Sequence, residues 1–484
     1  MKWRSRRCVM GCLLVIACGQ PAPAHVGSPD VYAEGSAGPY KLFVVVRPPL
    51  VIPGVADIEV RSSTPGVENI TIAPIPLAGE ASKHPPVPDT MTKPSHDAQF
   101  FAGHLWIMQT GSWQVRFVVT GGQGRGVLSI PVAATSTGTR QMQSGLGILL
   151  AGLGVLLVLG MVGIVGAAAR EAQTPPGETA PGVSKKRVYV AMAIALSLLV
   201  LGVVFGRKWW NAEAADYSAN IYKPLEMRAT LEAGNMLDLK ITDPGWLRAR
   251  KLNDFVPDHN HLMHLYAIRW PAMDIVFHLH PEFVRTGEFQ LALPSMPAGD
   301  YRLYADVVHA NGFPETLVTP VALPEIGGRP LAGDDAEGTP GTGAQTNASY
   351  RLPDGYSMLW KRPAALVAKA PEEFTFQLLD PHGQPPRDMA LYMGMIGHAA
   401  FVKSDGAVFA HVHPSGTVAM AALMMAAAQN GGDGMSGMEM SGSSRPPNTV
   451  SFPYGFPAPG NYRIFVQMKH GNVVETGSFD TQAR

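Results

Sequence analysis

Beyond residue 18 this 484-residue chain has no cysteine; its three, Cys8, Cys12 and Cys18, all fall in the opening stretch. Disulfides and thiolate metal sites are therefore excluded from the remainder, and any soft ligand there has to be methionine. Charge is equally scarce: Asp, Glu, Lys and Arg make up 16% of the residues and cancel to zero net charge. No stripe of Lys and Arg with interleaved aromatics occurs, so no nucleic-acid partner is expected. Glycine-rich phosphate loops, a nucleophile elbow and a His-Glu-x-x-His zinc motif are also missing, which argues against an enzyme. What is plentiful is Gly (52), Pro (42) and Met (23), with short apolar runs between them. That punctuation favours β-sandwich domains, and the length calls for several.

The start, MKWRSRR, is basic, and an apolar stretch from Cys8 to Ala17 leads to Ala22-Pro23-Ala24. This layout predicts a signal peptide over 1–24, leaving His25 as the mature N-terminus. Val15-Ile16-Ala17-Cys18 reads alternatively as a lipobox, with Cys18 lipidated. Two uncharged apolar runs follow, 145–169 and 188–206, the second closed by Arg207-Lys208-Trp209-Trp210. At about 1.5 Å per helical residue each is long enough for a hydrocarbon core of about 30 Å. The loop between them, 170–187, carries Arg170, Lys185, Lys186 and Arg187 against two glutamates. The positive-inside rule places that loop in the cytoplasm and both flanking regions outside a bacterial cytoplasmic membrane. Small residues such as Gly147 and Ala151, or Gly163 and Ala167, let a second helix approach closely.

Residues 25–140 hold YKLFVVVRPP, ADIEVRS, NITIAPIP, SWQVRFVVTG and GVLSIPVAA, bounded by Pro and Gly. They predict an exported immunoglobulin-like sandwich with Trp106 and Trp113 in its core. An N-terminal histidine chelates copper through its amine and imidazole together, and His84, His96 or His104 would complete such a site. In that one residue and its position, the start AHVGSP is similar to exported copper-binding sandwiches of the copper-resistance C and YcnI types.

The C-terminal region is a duplication. LDLKITDPG (237–245) matches FTFQLLDPHG (374–383), MHLYAIRWPAMDIVFHLHP (263–281) matches GHAAFVKSDGAVFAHVHP (397–414), and AGDYRLYADVVHANGFPET (298–316) matches PGNYRIFVQMKHGNVVET (459–476). Three matches in one order indicate two copies of a domain, 215–325 and 351–484, joined by a Gly- and Pro-rich linker, 326–350, expected to be flexible. The match pairs His264 with His398, His278 with His411, His280 with His413 and His309 with His470. His259 and His261 are left without counterparts and are expected in a solvent-facing turn. If VFHLH and VFAHVH are strands, each His-x-His pair projects from one face. A neighbouring strand would bring His264 or His398 opposite, and Glu315 or Glu475 would orient a ligand. Neutral imidazoles suit copper, zinc or nickel.

The second copy carries an insertion, 420–444, with Met420, Met424, Met425, Met435, Met438 and Met440 in a Gly/Ser background; Met393 and Met395 precede His398. Thioethers favour Cu(I) over zinc. MAALMMAAA also reads as a short apolar helix, whereas the glycines of GMSGMEMSG do not. The set of His, apolar strand, F-H-x-H-P and Pro/Gly-x-Tyr-Arg strand resembles the small exported β-sandwich modules of YtkA-like and related copper-associated bacterial proteins. The resemblance spans roughly 220–480 and implies an immunoglobulin-like or cupredoxin-like fold and a place in metal handling.

The expected protein is mainly β: three sandwiches, one before and two after a transmembrane hairpin, anchored in the cytoplasmic membrane and facing outward. Its expected role is periplasmic metal binding, copper first and zinc second, for sequestration or delivery to other envelope proteins. The expected ligands are His264, His278, His280 and His309, with His398, His411, His413 and His470, and in addition His25, Met435, Met438 and Met440. The competing reading is an interaction scaffold of β-sandwiches without metal.

Overall fold

Alternation of apolar and polar residues builds three β-sandwiches, and two long apolar helices separate the first from the other two. The computed structural model describes residues 29–171, 174–178, 182, 185–246, 250–339, 348–429 and 445–484. The expected signal peptide, Cys18, His25, Met435, Met438 and Met440 lie outside the described residues.

In the first sandwich, Val31–Ala37, Tyr40–Arg47, Gly54–Ser62 and Phe100–Ile107 form one sheet. Asp89–Thr90, Val67–Pro76, Gly111–Gly121 and Gly124–Ala134 form the other. Their inner faces enclose Leu42, Ile58, Phe101, Val115 and Phe117. Trp113 packs at the margin of a small satellite cluster, but Trp106 is 61% exposed. The core expectation for Trp106 fails on strand parity: Phe101, Leu105 and Ile107 take the inward positions, leaving residue 106 outward.

The helices are α1, Ser144–Glu171, and α2, Lys185–Ala219. Both are long and apolar enough to cross a membrane. Helix α2 continues past the expected end at 206, through Trp209 and Trp210, whose side chains are exposed. The two helices touch at Gly166, where a Cβ would meet Met192 Sδ at 2.9 Å. The small residue lets the Met192 side chain sit against α1 there, one position from the expected Gly163/Ala167 pair.

The two repeats share one plan. In the first, Glu226–Glu232, Met236–Thr242, Glu288–Ala292 and Glu282–Arg285 face a sheet of Pro314–Leu323, Gly299–Val308, His264–Arg269, Val276–Leu279 and Ala336–Gly338. The last of these lies in the segment expected to be a flexible linker; it pairs with Val276–Leu279 because it covers the open edge of that sheet. In the second, Ser349–Arg351, Ser357–Lys361, Glu372–Leu379 and Thr449–Tyr454 face Gly397–Lys403, Phe409–Val412, Met389–Ala390, Gly460–His470 and Val473–Ala483.

Both faces of the histidine-bearing strands are buried. Leu265, Ala267, Phe277 and Leu279 enter the core of the first repeat, and Ala399, Phe401, Ala410 and Val412 that of the second. The alternate residues Tyr266, Ile268 and Val276 meet Ala400, Val402 and Phe409 in a cluster between the repeats. Tyr304 stacks on Phe409 with ring centroids 4.3 Å apart, a contact worth about 1 kcal/mol beyond area burial.

The N-terminal sandwich docks on the second repeat. Glu34 N–H donates to Ser415 O and Thr417 N–H to Tyr32 O, each at 2.9 Å. Helix α3, Met420–Ala428, is the first half of the methionine-rich insertion, and its Ala422 and Ala426 complete the first sandwich's core. The apolar reading of MAALMMAAA is thus the correct one for that half.

Candidate metal centre

Strand parity puts His264, His278 and His280 on the outer face of the first repeat, and His398, His411 and His413 on that of the second. Because the outer faces pack together, the six imidazoles are buried inside the protein. In each repeat, one nitrogen from each of the three rings lies within 4.8 Å of the others. The closest pairs are His264 Nδ1 to His278 Nε2 and His398 Nδ1 to His411 Nε2, both 3.1 Å.

The nitrogens not facing into the triads face oxygens. His264 Nε2 lies 3.0 Å from Asp258 O, and His398 Nε2 lies 3.3 Å from Tyr392 O. His280 Nδ1 lies 3.0 Å from Asp335 Oδ1, and His413 Nδ1 lies 3.3 Å from Val418 O. The middle histidines reach across the repeat boundary: His278 Nδ1 to Gln467 Oε1 at 3.0 Å, and His411 Nδ1 to Asp306 Oδ2 at 3.4 Å. Backbone carbonyls and carboxylates only accept, and the Gln467 amide nitrogen is turned to the Thr476 hydroxyl. With the Gln467 amide oxygen and ionised Asp306 and Asp335 as the acceptors, each imidazole carries its proton on the outward nitrogen and turns a lone pair towards its triad. His280 Nε2 and His413 Nε2 are buried without a hydrogen-bond partner.

Electrostatics keeps these rings neutral. Burial pushes His264 down to about 4, against the pull of Asp258, and His413 down to about 3, with His259 adding to the effect. Burial, then neighbouring histidines, holds His278, His280, His398 and His411 well below the ordinary value. Asp306, which faces His411, is pushed up to about 7 by burial, and Asp335 to about 6.

His309 and His470 do not join the triads. Each sits three residues beyond Asp306 or Gln467, with both ring nitrogens engaged by carboxylates. His309 Nδ1 meets Asp254 at 2.7 Å and Nε2 meets Glu315 at 3.0 Å; His470 meets Asp388 at 3.3 Å and Glu475 at 3.1 Å. Burial pushes His309 down, but the bonds to Glu315 and Asp254 outweigh it and hold the group above its ordinary value. Glu315 and Glu475 thus hold these outlying histidines, and the residues that orient the triads are Asp306, Gln467 and Asp335. His470 does form a separate group with Asp354 and Glu475. Neither His259 nor His261 is a solvent-facing bystander. His261 stacks on His280 at 3.8 Å, and His259 lies against His398 and His413 of the other repeat, with ring centroids 5.1 and 5.0 Å away. In the N-terminal sandwich, His104 pairs with Asp57, and His84, His96 and His104 belong to no converging ligand group among the described residues.

A cavity of about 500 Å³ lies where the three sandwiches meet. Pro131, Leu225, Phe313 and Phe409 line it, and His264, His411 and His413 reach its wall.

A family model described as a domain of unknown function, DUF8832, matches residues 349–484, the second repeat. No curated protein matches the chain. Among solved structures it is similar to a Salmonella alpha-2-macroglobulin reacted with methylamine, at 8% identity and TM-score 0.21, over 96% of this chain and 24% of that one. It is also similar to a bacterial ice-binding adhesin of 1.5 MDa, at 5% identity and TM-score 0.15, over 89% of this chain and 90% of that one. A third is an ICAM-5 D1-D4 ectodomain fragment, at 7% identity and TM-score 0.15, over 92% of this chain and 77% of that one. The chain spans about a quarter of the macroglobulin's length.

Proposed function

We propose that this is a membrane-anchored metal-binding protein of the bacterial envelope, with its three sandwiches on the periplasmic side, and that each histidine triad holds one metal ion. The observation that carries the reading is the convergence of three buried imidazole nitrogens in each repeat, with an oxygen beside every outward nitrogen. Two ring nitrogens 3.1 Å apart share either a proton or a cation, and with both protons on the outward nitrogens a cation is what joins them. At metal–nitrogen bonds of about 2.0 Å that separation subtends about 100°, close to tetrahedral. Copper and zinc both suit imidazole, and the copper-associated modules that the repeats resemble favour copper. Oxygen acceptors behind the ring nitrogens are the usual means of fixing tautomer and orientation in metal-binding histidines.

The cavity supplies an entry path ending on His411 and His413, as delivery or sequestration requires. The test is elemental analysis of the full chain, purified in detergent, loaded with copper or zinc and desalted. About two ions per chain are expected, falling to about one in His280→Ala or His413→Ala and to none in the double variant. Uptake below a tenth of an equivalent in the wild type would sink the reading.

A further inference from the structure

The equivalence of the two repeats extends to the turns before the first histidine of each triad. Counting back from His264 and His398 pairs Asp258 with Tyr392, His259 with Met393 and His261 with Met395. The structure keeps this pairing. Asp258 and His261 exchange backbone hydrogen bonds, and so do Tyr392 and Met395. The carbonyls of Asp258 and Tyr392 serve equivalent histidines. His259 and Met393 share a left-handed backbone, φ 48° and 50°, uncommon for residues with side chains.

The first of these turns delivers a side chain across the boundary. His259 belongs to the first repeat, yet its ring lies against His398 and His413 of the second. One ligand atom of His259 lies within 4.8 Å of one on His413 and one on Asp258. Both His259 Nε2 and His413 Nε2 are buried with no hydrogen-bond partner. Two unpartnered imidazole nitrogens in one buried place are costly unless something binds both. Met393, which is also buried, shares a cluster with Ala336, the cross-strand partner of His278 in the first triad.

We infer that the two metal sites are unequal and that each is completed by the opposite repeat: His259 is the fourth ligand of the His398/His411/His413 site, and Met393 that of the His264/His278/His280 site. This rests on the reading of the triads as metal sites. An all-imidazole set suits Zn(II) or Cu(II), whereas three imidazoles with a thioether select Cu(I). The protein thus holds a soft and a borderline site side by side, and neither is complete in a single repeat.

The test uses the full chain in two single-site backgrounds. His413→Ala leaves the first site and His280→Ala the second. Affinities for Cu(I) and Zn(II) are measured by competition with chromogenic chelators, and Co(II) absorption reports coordination number. In the first background, Met393→Leu keeps volume and loses sulfur; Cu(I) affinity should fall about tenfold or more, with Zn(II) affinity unchanged. In the second, His259→Asn keeps the left-handed backbone and loses the imidazole; Zn(II) affinity should fall about tenfold or more, and the intense tetrahedral Co(II) band should weaken. A wild type that takes up no ion overturns the triads and this assignment together. A wild type that holds two ions, with both substitutions changing affinity less than about twofold, keeps the triads and overturns the assignment alone.

Discussion

His278 of the first repeat donates its Nδ1–H to Gln467 Oε1 of the second, at 3.0 Å. In the opposite sense, His411 Nδ1 of the second repeat lies 3.4 Å from Asp306 Oδ2 of the first. Each repeat therefore sets a polar side chain against the central imidazole of the other's triad.

Replacing Gln467 with Leu tests that linkage. The buried His278 N–H keeps only the Tyr392 hydroxyl, 3.3 Å away and already donating to Asp334 O. Metal-free stability should fall by about 1–2 kcal/mol in chemical denaturation. With the His280→Ala and His413→Ala backgrounds separating the sites, affinity should fall roughly tenfold at the His264/His278/His280 triad and stay unchanged at the other. Equal losses at both sites would show that Gln467 acts through general stability and not through His278.

The metal-free protein should be acid-sensitive. Burial lowers the folded-state values of all six triad histidines, His264 to about 4 and His413 to about 3, below the unfolded value of 6.5. Between pH 6.5 and 4 the unfolded chain binds protons that the folded chain refuses. Each such histidine contributes stability that is complete above the unfolded value and is lost as pH falls, by about 1.4 kcal/mol per unit of pH. Asp306, Asp335 and Glu475 act the other way. Their folded values are raised to about 7, 6 and 7, so their contribution is lost as pH rises. Asp30, Glu337, Glu372 and His309 are raised as well, by less. The six deeply buried histidines outweigh these groups, so the melting temperature should drop between pH 7 and pH 5. A flat or rising profile would mean that the triads are hydrated and not buried.

Sequence alone made the faces of the strands legible but not their coverings. Period-two alternation put His278 with His280 and His411 with His413, and repeat matching brought in His264 and His398. It could not show that the outer face of each sheet is buried against the other, since a half-buried strand and a doubly buried one both alternate where Tyr266 and Phe409 fill the second face. Repeat matching also over-reached. His309 and His470 recur as faithfully as the triad residues, because a duplicated salt bridge is retained as readily as a duplicated ligand; the Glu-Thr that follows each was the sign of that pairing. His259 escaped because its counterpart is a methionine. Asp306 and Gln467, three places before the last histidine in each copy, gave no signal until the docked repeats set each against an imidazole.

His309 separates packing from ligation. Its ring bridges Asp254 and Glu315, and Glu315 also receives Arg250 and the Tyr222 hydroxyl, so the histidine is one member of a buried ionic network. His309→Ala should cost about 1–3 kcal/mol of stability and leave copper and zinc content at the wild-type level. Loss of an ion on this substitution, in protein whose near-ultraviolet circular dichroism is unchanged, would return His309 to the ligand set.

The absence of cysteine after residue 18 makes the proposed topology directly measurable. With Cys8, Cys12 and Cys18 replaced by Ser, single cysteines can be introduced at exposed positions on either side of the hairpin. Lys83 lies in the N-terminal sandwich and Arg285 in the first repeat, with side chains 67% and 71% exposed; Glu178 lies in the connection between α1 and α2. If Arg170, Lys185, Lys186 and Arg187 hold that connection in the cytoplasm, Lys83→Cys and Arg285→Cys should react with a membrane-impermeant maleimide in spheroplasts. Glu178→Cys should react only after permeabilisation. Labelling of Glu178→Cys in intact spheroplasts, with Lys83→Cys and Arg285→Cys protected, would invert the topology and put the histidine triads in the cytoplasm. Labelling of all three would mean that α1 and α2 do not span the bilayer.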